Sequence, residues 1–177
     1  YRTPPDLAAT LVHTADLHDD IEDRAVVDLG CGTGMLALGA ALRGPTRVVG
    51  VDVDPGPLAT ARANERKVAS ASSVEWVRAD APRAPLCPSE PTTVVMNPPF
   101  GAQDGNEHAD RAFLATAADI ADVSYSIHNE GSREFVEAFA ADNGGSVTHA
   151  FAAAFDLPKE YDHQQEASRT IDAEVYR

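Results

Sequence analysis

Four consecutive residues, Asn97-Pro98-Pro99-Phe100, place an amide, two rigid backbone positions and an aromatic ring side by side. They follow the apolar run Thr92-Thr93-Val94-Val95-Met96. Neither proline has an N–H to give a sheet ladder, and each pushes the residue before it into extended backbone. The stretch therefore reads as a buried strand that stops abruptly and projects Asn97 and Phe100 from its carboxyl end. In an open α/β sheet that end is where ligands bind. The chemistry it suits is methyl transfer to a planar NH2 whose lone pair is delocalised. The side-chain oxygen of Asn97 and the carbonyl of Pro98 could both accept hydrogen bonds from that NH2, favouring a localised lone pair as the bond forms. Phe100 could stack on the flat group. Asn97, Pro98, Pro99 and Phe100 are the candidate catalytic residues. An isolated Pro-Pro would read only as a strand terminator; the strand ends upstream tip this one towards function.

Ala25-Val26-Val27-Asp28-Leu29 is the first of those strands, and it runs into Gly30-Cys31-Gly32-Thr33-Gly34. Three glycines in a strand–helix turn let backbone approach a ligand closely. A dinucleotide fingerprint would be Gly-x-Gly-x-x-Gly, but here the third glycine comes one residue early and position 35 is Met. A second strand, Arg47 to Val51, ends in Asp52, an acidic residue placed to accept both ribose hydroxyls of an adenosine. A third, Val74 to Ala79, ends in Asp80, whose carboxylate could receive an adenine amino group while the amide of Ala81 reaches the ring. Each aspartate alone reads as a cap or a turn residue. Three successive strands that each deliver a glycine turn or an aspartate at the carboxyl end form a pattern.

The elements that must hold these residues alternate. Helices are expected over Pro4 to Asp19, Met35 to Arg43 (closed by Gly44-Pro45), Pro55 to Ala69, Ala109 to Ile120, and from a Ser132 cap to Ala141. Residues 82–91, with four prolines, read as a loop. Further strands are expected at Val123 to Ile127, Val147 to Phe155 and Ser168 to Tyr176, the last with Ile171, Ala173 and Val175 on one face. The result is an α/β fold, a mainly parallel sheet with an antiparallel end.

At 177 residues the chain reads as one domain, 1–177, able to bury about 70% of its unfolded surface. No apolar run approaches the roughly 20 residues that a membrane span needs, no signal peptide is visible, and Cys31 and Cys87 suggest no disulfide framework. A reducing cytoplasm is the expectation. Twenty-eight acidic residues face 14 basic ones, for a net charge of −14, and Lys67 and Lys159 are the only lysines. At ordinary salt such a charge repels a polyanion. At molar salt the Debye length falls to about 3 Å and the repulsion is screened. The scattered acidic residues fit a salt-rich, halophilic cytoplasm. Five of the six histidines (13, 18, 108, 128 and 149) have no ligand spacing with each other or with the cysteines, and no metal is expected.

The chain resembles the methyltransferase-like protein 5 family, ribosomal-RNA adenine N6-methyltransferases of eukaryotes and archaea. The resemblance rests on Tyr-Arg-Thr-Pro-Pro at positions 1–5, Val-Val-Asp-Leu-Gly-Cys-Gly-Thr-Gly at 26–34, Val-Gly-Val-Asp-Val-Asp at 49–54 and Met-Asn-Pro-Pro-Phe-Gly at 96–101. It extends through Tyr-Ser-Ile-His at 125–128, Phe-Asp-Leu-Pro-Lys-Glu-Tyr-Asp-His at 155–163 and Ile-Asp-Ala-Glu-Val-Tyr-Arg at 171–177. It implies a Rossmann-like class I methyltransferase fold, a seven-stranded sheet with helices on both faces. It also implies S-adenosylmethionine as cofactor, S-adenosylhomocysteine as product, and an adenine of small-subunit ribosomal RNA as target.

By position, the resemblance implies cofactor contacts from Thr3, Gly30, Thr33, Met35, Asp52, Asp80 and Ala81. The flanking Asp28, Cys31, Gly32, Gly34 and Val53, together with Asn97, complete the candidate cofactor site. Phe100, Gly101, Lys159, Tyr161 and His163 are the candidate substrate contacts. Eukaryotic members carry a lysine-rich stretch after the position of His163, where this chain has Gln164-Gln165-Glu166. They also place a Gln before the position of Tyr1, and they work with a small zinc-binding activator protein. Two rival readings remain. A protein-glutamine N5-methyltransferase uses the same Asn-Pro-Pro logic, usually with Tyr in fourth place, and a non-catalytic subunit would bind RNA and assist assembly.

Overall fold

The computed structural model describes residues 3–68, 73–99, 109–158 and 168–177. Five helices and seven strands lie among the described residues: α1 Pro5–Leu17, β1 Ala25–Leu29, α2 Met35–Ala41, β2 Arg47–Asp52, α3 Pro55–Glu65, β3 Val74–Arg78, β4 Thr92–Met96, α4 Ala109–Ile120, β5 Val123–Asn129, α5 Arg133–Asp142, β6 Ala150–Pro158 and β7 Ser168–Tyr176. A short 3-10 turn, Ala81–Arg83, opens the proline-rich loop that the sequence suggested was irregular throughout. The strands form one sheet in the order β3-β2-β1-β4-β5-β7-β6. The first five are parallel, and β7 runs antiparallel to both β5 and β6. This is a Rossmann-like methyltransferase sheet with its antiparallel pair at the carboxyl-terminal edge.

Valine-rich β1 and β4 are buried along their whole length, as parallel strands covered on both faces must be. Leu7, Leu11, Val12 and Ala15 of α1 pack with Leu36, Ala37 and Ala40 of α2 over one face. Phe113, Leu114 and Ala117 of α4 and Phe139 of α5 cover the other. Chain order reverses between β1 and β4, so the crevice at their carboxyl ends is the sheet's switch point. Leu29 lies opposite both Val51 and Met96. The glycine turn after β1, Asp52 at the end of β2 and Asn97 after β4 therefore leave three neighbouring strands at one level, roughly 5 Å apart from strand to strand.

Several boundaries differ from the sequence expectation. The third helix ends at Glu65 rather than Ala69: Glu65 Oε1 accepts the N–H of Val74 and Oε2 accepts the indole N–H of Trp76, which commits the chain to β3. Ser132 stands at the N-cap of α5, but its side chain makes no capping bond. The sixth strand begins at Ala150 rather than Val147, because Thr148 N–H is taken by the carbonyl of Arg177. The fifth strand continues to Asn129, since β7 offers it partners through Ala173. Residues 168–172 of β7 pair with 154–158 of β6 beyond the last paired residue of β5. The hairpin thus overhangs the crevice end of the sheet by about 17 Å at some 3.4 Å per residue.

Candidate active site

The turn from Gly30 to Gly34 is held from below and from the side. Gly30 and Cys31 N–H both bond the carbonyl of Val51, at 2.8 and 2.9 Å, and Gly34 N–H closes back on Cys31 O at 2.8 Å. Asp52 then splits its carboxylate. Oδ2 accepts Gly32 N–H at 2.7 Å and Oδ1 accepts Asp54 N–H at 2.9 Å. Trp76 decides where side chains can stand. A Cβ on Gly50 would lie 2.6 Å from its ring, and so would one on Gly34, whose φ of +83° also disfavours any other residue. A Cβ on Gly30 would meet Phe113 at 2.9 Å, so α4 presses directly on the turn. At Gly32 a Cβ would have no neighbour within 4 Å, and open space lies over the middle of the turn.

Asp28 lies beneath this space, 1% exposed, with Oδ2 accepting Ala37 N–H at 2.9 Å at the start of α2. Burial pushes its carboxyl up to about 7; the Ala37 bond opposes the shift and the charge of Asp52 adds to it. Cys31 is buried too, and burial followed by the charges of Asp28 and Asp52 drives its thiol far above the ordinary range, which makes it a packing residue rather than a nucleophile. Val53 is 61% exposed beside Asp52. Met35 and Thr33 are half-buried on the turn, and the Thr33 carbonyl accepts Asn64 Nδ2–H at 3.1 Å. Asp80 is exposed and lies 3.9 Å from Arg83, while Ala81 is buried.

Across the crevice, Asn97 donates Nδ2–H to Thr3 Oγ1 at 3.0 Å. Its Oδ1 is shielded from solvent and has no hydrogen-bond partner among the described residues. Pro98 is buried and Pro99 exposed. Unpartnered buried acceptors are rare, and one at a strand's carboxyl end marks a site made for a donor that comes from outside. The parallel register carried on from Met96 and Ser126 puts His128 beside Pro98. The histidine is 2% exposed, packed edge-on against Phe135 and Tyr176, and its Nε2 is also without a partner among the described residues. Burial holds it down to about 4 against the charges of Asp110 and Glu174, so it is neutral at pH 7. From its place in Tyr-Ser-Ile-His, just past a strand, the sequence favours a core or capping role for His128 over lining the pocket; the structure buries it in the core, one strand over from Asn97.

The structure thus brings Thr3, Asp28, Gly30 to Met35, Asp52, Val53 and Asn97 to one crevice. Phe100, Gly101, Lys159, Tyr161 and His163 lie outside the described residues. Among the described residues no cluster of His, Cys, Asp and Glu could hold a metal. No helix among the described residues is long and apolar enough to cross a membrane.

Residues 5–123 match the methyltransferase small domain. The rRNA N(6)-adenosine-methyltransferase Mettl5 of Drosophila melanogaster is 32% identical over 181 residues, covering 100% of this chain and 84% of that protein. The chain belongs to the methyltransferase-like protein 5 family, within the small-domain methyltransferases. Uncharacterized protein MJ0284 of Methanocaldococcus jannaschii is 34% identical, covering 90% of this chain and 75% of the relative. A crystal structure from Pyrococcus horikoshii, named as a candidate RNA methyltransferase, superposes with a TM-score of 0.86 at 35% identity, over 99% of this chain and 85% of that one. Members of this family use S-adenosylmethionine, and the crevice fits it. The turn leaves open space at Gly32, Asp52 keeps lone pairs for ribose hydroxyls, and Val53 offers apolar surface to an adenine face.

Proposed function

We propose that the chain transfers a methyl group from S-adenosylmethionine to N6 of an adenine in RNA, with small-subunit ribosomal RNA as substrate. The observation that carries this reading is the buried, unpartnered Oδ1 of Asn97 beside the glycine turn. The name of the Drosophila relative supports adenine in ribosomal RNA as the target. Asn97 Oδ1 and the carbonyl of Pro98 accept the two N6–H bonds, which draws the lone pair out of the ring and aims it across the crevice. S-adenosylmethionine supplies the methyl group, activated by its sulfonium charge. Phe100 stacks on the base, and Asp52 and Val53 hold the adenosine of the cofactor. N6 is committed to pairing inside a duplex, so the target adenine must be single-stranded or flipped out. By family resemblance, Lys159, Tyr161 and His163 are RNA contacts. Family resemblance adds a small zinc-binding activator as partner, and the net charge of −14 adds a salt-rich cytoplasm as the setting.

The test is methyl transfer from labelled S-adenosylmethionine in molar KCl. Small-subunit ribosomal RNA from a strain lacking the gene is compared with a glutamine-containing release factor. Label is expected in RNA as N6-methyladenosine and lost in Asn97→Ala. Label only in the protein would move the assignment to glutamine N5, and no label despite bound cofactor would favour a non-catalytic role.

A further inference from the structure

We propose that Thr3 is a positioning residue: its hydroxyl sets the side-chain amide of Asn97 so that the oxygen, not the nitrogen, faces the acceptor. This rests on the reading that Asn97 Oδ1 receives the acceptor NH2. The two residues are 94 positions apart in sequence and meet through one 3.0 Å hydrogen bond from Nδ2 to Oγ1. An asparagine amide is nearly symmetric in shape, so packing hardly distinguishes its two orientations; hydrogen bonding must do it. In the orientation seen, Thr3 satisfies a donor and leaves a single buried acceptor open. In the flipped orientation Thr3 would satisfy Oδ1, and an NH2 with two donors would be buried without any acceptor. That arrangement is the costlier one in the free protein. It is also useless for the reaction, because it would set the donors of Asn97 against the donors of the target NH2.

The hydroxyl is held where this requires it. Thr3 is half-buried just before α1, whose first turn is closed by Ala8 N–H on the carbonyl of Pro4 at 3.0 Å. Pro4 and Pro5 restrict the backbone around it, and the residue before a proline is confined to extended geometry. The entry into α1 thus presents a rigid hydroxyl to the end of β4. Valine has the shape of threonine without the hydroxyl, so Thr3→Val removes the bond and little else, while Thr3→Ser keeps it.

Four proteins test this: wild type, Thr3→Val, Thr3→Ser and Asn97→Ala. The readouts are kcat and KM on small-subunit ribosomal RNA, cofactor Kd by calorimetry, and the Asn97 side-chain amide pair in 15N spectra. Asn97→Ala identifies that pair by its disappearance. Thr3→Val is expected to lower kcat about ten- to a hundredfold, on the scale of one lost and one orphaned hydrogen bond. KM and cofactor Kd are expected to stay within about threefold. The amide pair should exchange slowly with solvent in wild type and Thr3→Ser and shift in Thr3→Val, and Thr3→Ser should recover most of kcat. Unchanged kcat in Thr3→Val, an effect on cofactor Kd alone, or no recovery in Thr3→Ser would each overturn the proposal. So would a freely exchanging amide pair in wild type, a readout that needs no turnover. If Asn97→Ala stays active, the underlying reading fails instead.

Discussion

At the amino end of the sheet, Asp20 receives Tyr125 O–H at 2.6 Å and Arg177 Nε and Nη2 at 2.7 and 3.2 Å, while its backbone carbonyl accepts Thr93 O–H at 2.6 Å. Arg177 Nη1 goes on to Thr148. At the carboxyl end, Asn97 Oδ1 and His128 Nε2 have no partner among the described residues. Arg24 Nη2 is the exception at the amino end, and even it lies 3.6 Å from Asp122. One end uses its buried polar groups to tie α1, β5 and the chain after β7 together. The other holds buried polar groups in reserve, at a cost in stability that the tied end helps to offset. A cavity of about 380 Å³ between α4 and α5 opens at the tied end, so the size of a cavity does not mark the site here. The unsatisfied atoms do.

The sharpest way to break this contrast is Asn97→Ala. It is expected to cost at least about 10² in kcat, the scale of losing one preorganised polar group at a reacting centre. The melting temperature should hardly move. If the variant melts far below wild type, Asn97 is a structural residue and the contrast fails. Asp20→Ala should do the opposite. Breaking a buried ion pair costs about 3–5 kcal/mol, so the melting temperature should fall by about 10 °C for a chain of this size, with kcat measured well below the transition nearly unchanged. Loss of activity in the fully folded Asp20→Ala protein would join the two ends functionally and blunt the distinction.

Acid sharpens the same comparison. His128 is held neutral, with its folded value near 4 below the ordinary 6.5. Its contribution to stability is therefore complete above about pH 6.5 and lost as pH falls from there through 4, an effect on the order of 3 kcal/mol. Burial alone would push the carboxyl of Asp20 up, but the hydrogen bonds from Arg177 and Tyr125 and the charges of Arg177 and Arg24 hold it below the ordinary value. Its contribution is present above the unfolded carboxylate value near 4 and lost only at still lower pH. Asp28, held near 7, adds the opposite trend, a gain as pH falls from 7 towards 4, so the His128 loss is read as the difference between the wild-type and His128→Asn melting curves over that range. A slope unchanged in that variant would show that other groups set it. The smallest effect expected is that of Gly50→Ala, at about 1–3 kcal/mol for an overpacked core. Its methyl would press on Trp76 and on Cys31, both beneath the glycine turn. Cofactor affinity should weaken together with stability, and a fall in stability alone would show that the turn does not depend on Trp76.

The crevice was readable in the sequence because its parts are local. Asp28 to Gly34, Asp52 and Asn97 each close a short buried strand; β1 and β4 have the limits of their apolar runs, α4 those of its helical stretch, and β7 those of the alternation of Ile171, Ala173 and Val175. What could not be read depends on partners distant in the chain. Nothing near Asp20 announces Tyr125 or Arg177, which are 105 and 157 residues away. Nothing near Thr3 announces Asn97, and the resemblance placed Thr3 only at the cofactor. The late start of β6 and the longer β5 follow from pairing with β7. The end of α3 was missed because Glu65 turns from its helix to serve β3.

The clasp of Arg177 on Asp20 has a kinetic consequence. It joins residues 157 positions apart, so it closes a very long loop, and such contacts form late in folding. The parallel core from β1 to β5 can pair while Asp20 still faces water. Weakening the clasp should leave the rate of refolding almost untouched and speed unfolding. The lifetime of the folded enzyme would then be governed by a residue that never approaches the substrate.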